Sequence, residues 1–170
     1  MTAKNSLIGD QIRKVAAGPR LCKMFCNGAA CQYCTDVKWT GSGQAIDGIF
    51  STWVSDAILA ISRPTQLALR KHDLLAALLR HNVRCIINLQ EKGEHATCGE
   101  GNLPTGFSYS IPEFVASGID VHVFGWIDFG VPSMDSCLTM VKAIASAVAE
   151  GVRVAVHCHA GTLLCISRLS

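Results

Sequence analysis

The chain has 170 residues, 49% of them hydrophobic and 16% charged, which suits one domain built around one core. Its 15 Lys and Arg and 13 Asp and Glu are spread along the sequence and leave a formal charge of +2, so no basic stripe points to nucleic acid as a partner. Glu150 and Arg153 interrupt the longest apolar stretch, and residues 1–20 lack the apolar region of a signal peptide, which predicts a soluble intracellular, cytoplasmic protein without a membrane partner.

Residues 1–45 are rich in Gly, Cys, Lys and Asn without steady periodicity, and predict an irregular extension packed onto the domain. Nine cysteines are many for this length, but an odd count without a secretory signal argues against a disulfide framework and for mostly reduced thiols. Four of them, Cys22, Cys26, Cys31 and Cys34, stand close together, with three, four and two residues between them. Zinc accepts four thiolates, yet structural sites usually pair two short knuckles across a longer loop, which this spacing does not give. Small, soft, buried side chains are the favoured reading, and no metal is assigned.

From Ile49 to Val54 the chain carries strand formers, and Arg63-Pro64-Thr65 then punctuates it before a helix predicted over 65–81. Leu67, Leu74, Leu75, Leu78 and Leu79 recur there at helical spacing, with Arg70, Lys71, Asp73 and Arg80 elsewhere around the axis. The short apolar run at 85–89 suits a central strand buried on both faces of a parallel sheet. Gly93, Gly99, Gly101, Pro104 and Gly106 mark a long connection, and 121–124 reads as the next strand. Ser133 is placed to cap a helix in which Cys137, Leu138, Val141, Ile144, Ala145 and Val148 form one stripe and which Gly151 ends. A further strand at 152–156 completes an alternation of strands and helices. The prediction is an α/β domain over 46–170, with a mainly parallel central sheet flanked by helices. His72, His81 and His122 carry no motif and read as two helix-surface residues and a strand residue without function.

In such a sheet ligands bind beyond the carboxyl ends of the strands, and the strand at 152–156 delivers His157-Cys158-His159-Ala160-Gly161 to that edge. A cysteine directly after a buried strand, in a small-residue loop opening a helix, has backbone N–H groups converging above it. Such a nest binds an anion and lowers the pKa of the thiol. Taken alone, the same residues fit a buried cysteine with two incidental histidines about as well, and Asp128 taken alone reads as a turn residue or a helix-proximal charge.

His-Cys-x-x-Gly at 157–161 is the opening of the loop His-Cys-x-x-Gly-x-x-Arg-Ser/Thr-Gly, and the chain resembles the dual-specificity-related protein tyrosine phosphatases. The resemblance runs from about Cys22 to Gly161 and includes Ala45-Ile46-Asp47-Gly48, Trp53-Val54-Ser55-Asp56, Ile86-Ile87-Asn88-Leu89-Gln90 and Gly93-Glu94-His95. It implies a phosphatase-type fold and the hydrolysis of phosphotyrosine in phosphorylated protein partners, with phosphoserine and phosphothreonine left open. Cys158 is implied as the nucleophile that forms a phosphocysteine. Trp126-Ile127-Asp128-Phe129-Gly130-Val131-Pro132 resembles the mobile general-acid loop, with Asp128 protonating the leaving oxygen and later activating water. The resemblance also implies that His157 orients the cysteine and that His159, Ala160, Gly161 and Thr162 supply backbone donors to phosphate. Glu94 and His95 border the pocket or form a plain surface loop. The chemistry requires no metal or organic cofactor, and a ciliary or centrosomal setting is implied.

Six residues after Cys158, where the family loop carries its arginine, this sequence has Leu164. A guanidinium offers two parallel donors to phosphoryl oxygens and holds charge through the transition state. Comparable groups contribute on the order of 100-fold to 100,000-fold in rate. Cys165 and Ile166 stand where Ser/Thr and Gly are expected, and Arg168 comes about one helical turn late. Residues 46–170 therefore read as an incomplete, inactive phosphatase domain. The helices that follow the loop in the family are missing, and the strands near Ile87 and Val154 are expected to lack cover. A pseudophosphatase that binds phosphoproteins, or a product without function, are the alternatives.

Overall fold

A computed structural model describes residues 26–126 and 132–161. Five strands form one sheet: β1 (Ser51–Trp53), β2 (Ile58–Ile61), β3 (Val83–Asn88), β4 (Asp120–Val123) and β5 (Arg153–His157), in the order β1-β2-β5-β3-β4. Only β1 and β2 are antiparallel; the other pairs are parallel, as an α/β sheet requires. The middle strand is β5, one place in from the predicted β3. Its last residue, His157, lies between Ile61 of β2 and Asn88 of β3.

Side chains alternate between two cores, following the two-residue period of a strand. Leu59, Ile61, Ile86 and Ala155 face α1 (Gln66–His72), α2 (Leu74–Arg80) and α3 (Ile111–Ala116), against Ala68, Leu74, Leu78 and Phe114. Cys85, Ile87, Val154 and Val156 face α4 (Met134–Ala149), against Met140 and Ile144. The expected lack of cover at Ile87 and Val154 is therefore corrected, since both have 0% exposure.

Two further expectations are corrected. The single helix expected over 65–81 is two, because Asp73 takes a left-handed conformation with φ 48° and interrupts the hydrogen-bond ladder. Thr65 caps the first of them, accepting from Ala68 N. In α4, whose Ser133 cap forms as expected, the buried side is Met140 and Ile144, with Ala143 and Ala147 packed beside them. Leu138 and Val141 are each 51% exposed, because the small alanines let the helix approach the sheet on the neighbouring face. β2 and α3 had no place in the expected pattern.

Residues 26–45 are anchored by charge and by rings. Asp36 accepts from Lys71 Nζ at 2.6 Å and pairs with His72 Nε2 at 2.8 Å. Lys71 first and then His72 hold its carboxyl down at about 2. His72 is thus no surface residue: its side chain is only 10% exposed. Trp39 stacks on Tyr33 and meets Phe50 edge-on, and its indole N–H donates to Gln32 O. Among the described residues no helix is long and apolar enough to cross a membrane.

Candidate active site

The carboxyl ends of β2, β3, β4 and β5 share one edge, and the segments that leave them interlock there. Arg63 N donates to His159 O at 3.1 Å, Phe124 N to Asn88 O at 2.8 Å, and Trp126 N to Leu89 O at 3.4 Å. Gly161 has φ +64°, and a Cβ there would lie 2.3 Å from the carbonyl carbon of Ile61. Only glycine lets the loop cross the end of β2 so closely.

Cys158 sits half-buried one residue beyond β5, packed with Trp126 against the Leu89 and Val156 cluster. Its sulfur is disulfide-bonded, and in that state it is not the thiolate that nucleophilic attack requires. Any chemistry at this sulfur belongs to the reduced thiol. By contrast, burial pushes the Cys85 thiol in β3 up to about 11, which leaves it inert.

His157 is fully buried. Its Nδ1 lies 3.2 Å from Cys158 O, which can only accept, so Nδ1 carries the proton. Nε2 is left to accept from the Tyr109 hydroxyl at 2.9 Å. Burial is the main reason its pKa falls to about 4, so the ring is neutral near pH 7. Burial likewise raises the Tyr109 phenol, which stays protonated and able to donate. Asn88, beside His157 in the sheet, accepts from Gln90 N at 2.8 Å, while its Nδ2 is buried without a hydrogen-bond partner among the described residues. A neutral imidazole held on both nitrogens can fix the carbonyl of Cys158, a positioning arrangement. Tyr109 carried no signal in the sequence; Asn88, the one polar residue in the apolar run at 85–89, did.

The remaining loop residues divide. Ala160 is half-exposed and Gly161 buried, while Thr162, Leu164 and the acid candidate Asp128 lie outside the described residues. The His159 side chain turns away from the loop. It is buried, with Nε2 3.4 Å from Cys31 Sγ and its ring stacked 3.6 Å from that of His95. Glu94 and His95 do not form a plain surface loop, since their side chains are 9% and 12% exposed.

Arg63, which the sequence presents only as punctuation before Pro64, is 1% exposed. Its Nε donates to Cys34 Sγ at 3.2 Å, Nη2 to Cys98 O at 2.8 Å and Nη1 to Asn102 Oδ1 at 3.1 Å. Beside it, hydrogen bonds from Cys34 and then Cys98 hold the Cys31 thiol well below its usual range, against its burial. The same Cys31 bond is the main cause that pushes Cys34 up to about 11.

Solved structures share this architecture. Tk-PTP in its active form matches with a TM-score of 0.50 at 22% identity, covering 65% of this chain and 63% of that one. PTPMT1 in complex with PI(5)P matches with a TM-score of 0.51 at 21% identity, with the same coverage of 65% and 63%. The fold is that of the protein tyrosine phosphatases.

In sequence the chain is homologous to proteins named protein tyrosine phosphatase domain-containing protein 1. It is 43% identical over 93% of its length to the one from Mus musculus and 42% identical over 94% to the one from Bos taurus. It spans about a fifth of the length of these relatives, 21% and 20%. No protein-family model matches the chain.

Proposed function

We propose that residues 46–170 form a phosphatase-type domain, with 1–45 as an extension, and that its site serves cysteine-dependent removal of phosphate from phosphorylated proteins. The observation that carries the reading is the position of Cys158, directly after the middle strand, above a buried neutral His157 that holds the Cys158 carbonyl. In the reduced chain the Cys158 thiolate attacks phosphorus as the P–O bond of phosphotyrosine breaks. The leaving oxygen takes a proton from Asp128. Asp128, now a carboxylate, takes a proton from water, whose oxygen displaces sulfur from phosphorus and frees phosphate. Backbone N–H groups of 159–162 receive the phosphoryl oxygens.

In this reading Leu164 removes the bidentate donor that would grip the phosphoryl group, so the chain as it stands turns over poorly or not at all. The test compares hydrolysis of a phosphotyrosine peptide, under reducing conditions, by the unmodified chain, Leu164→Arg, and Leu164→Arg with Cys158→Ser. Leu164→Arg is expected to exceed the unmodified chain by about 100-fold or more and to lose that gain with Cys158→Ser. Equal rates in all three sink the proposal. Tight phosphate-dependent peptide binding by the unmodified chain, without turnover, favours a pseudophosphatase instead.

A further inference from the structure

Four side chains with no part in that chemistry converge beside the loop. Cys26 comes from the extension, His95 and Cys98 from the connection after β3, and His159 from the loop after β5. Their ligand-type atoms all lie within 4.8 Å of one another. His95 Nδ1 is 3.6 Å from Cys26 Sγ and 3.8 Å from Cys98 Sγ. A tetrahedral zinc ion, with sulfur at about 2.3 Å and nitrogen at about 2.0 Å, sets sulfur-to-nitrogen edges of about 3.5 Å. The cluster already has nearly those dimensions.

Its surroundings match as well. Glu94 Oε1 lies 3.3 Å from His95 Nε2, a carboxylate that fixes the proton on that nitrogen and turns the Nδ1 lone pair towards the sulfurs. His159 Nδ1 is buried without a hydrogen-bond partner among the described residues, so a metal there would break no bond it now makes. Arg63 sets the His95-x-x-Cys98 knuckle in place through Cys98 O and Asn102 Oδ1. Cys31 and Cys34 adjoin through His159. Two thiolates and two imidazoles select a borderline-soft ion over magnesium or calcium.

We propose that this chain binds one Zn2+ ion through Cys26, His95, Cys98 and His159. The ion ties the cysteine-rich extension and the loop after β3 to the residue next to Cys158, so it braces the loop after β5. Cys26 of the extension thereby acquires a role that the spacing of the four clustered cysteines did not give it. The inference does not rest on the phosphatase reading, and its test asks for no turnover.

The whole chain, purified with reduced thiols, is expected to hold about one zinc per molecule by elemental mass spectrometry. Cys137→Ser, on α4 away from the cluster, keeps it, while His95→Asn and Cys98→Ser fall to trace levels. Glu94→Gln lowers zinc affinity about 10-fold to 100-fold in competition with a chromogenic chelator. Should those variants fail to fold, cobalt(II) in the unmodified chain reports the ligands directly, through thiolate charge-transfer bands and the strong visible bands of a tetrahedral site. An unmodified chain that holds no zinc and gives only the weak spectrum of aqueous cobalt overturns the proposal, as does unchanged zinc in folded Cys98→Ser.

Discussion

Acid destabilises this fold through His157. Burial is the chief cause that keeps its pKa at about 4 against the ordinary 6.5; the bond to Cys158 O opposes that shift and the charge of Arg63 adds to it. Above pH 6.5 the ring is neutral in the folded and unfolded chain alike, and it costs nothing. As pH falls below 6.5 the unfolded chain takes up a proton that the folded chain refuses until about pH 4, so stability drops through that window and levels off beneath it. At about 1.4 kcal/mol per pH unit the loss reaches about 3 kcal/mol. That is a large share of the roughly 5–15 kcal/mol that holds a typical domain together. Burial also lowers the pKa of His159, which adds to the loss, so the measurement is a comparison. Urea unfolding is followed from about pH 7 to about pH 4 for the unmodified chain and for His157→Asn. The drop across that range is expected to be smaller in the variant by about 3 kcal/mol, whatever its stability near pH 7. Equal drops would refute the assignment of a buried, neutral His157.

Tyr109→Phe leaves His157 Nε2 buried without its donor and is expected to cost about 1–3 kcal/mol in urea unfolding. Arg63→Met strips donors from Cys98 O and Asn102 Oδ1 and is expected to cost about 2–5 kcal/mol, with faster amide exchange confined first to 94–102. In α4, Met140→Ala costs about 2–5 kcal/mol, whereas Leu138→Glu on the exposed face changes stability by less than about 0.5 kcal/mol. The reverse ranking would restore the other stripe.

The parts of the fold that the sequence displays are those where one local signal decides. The short apolar runs at 85–89 and 154–156 mark β3 and β5, and a strand that ends in a small-residue loop fixes where Cys158 must stand. Asp73 carried no comparable signal: aspartate enters the left-handed region more readily than most residues, but nothing around it marks the break. α4 is apolar on two sides, so periodicity alone could not choose between Val141 and Met140; only the sheet beneath it does. The cysteine and histidine cluster was half visible. Cys31-x-x-Cys34 and His95-x-x-Cys98 have the spacing of metal-binding knuckles, yet their meeting, and the arrival of His159 between them, is a product of chain topology. Buried Arg63 was hidden for a similar reason, since its acceptors are carbonyl, amide and sulfur atoms supplied by distant loops.

The most direct test of the central claim is to quench Leu164→Arg in acid during turnover of a phosphotyrosine peptide and to map phosphate by mass spectrometry. The account predicts phosphate on the Cys158 sulfur and none after Cys158→Ser. Turnover that continues in Cys158→Ser, or phosphate carried by another residue, would contradict it.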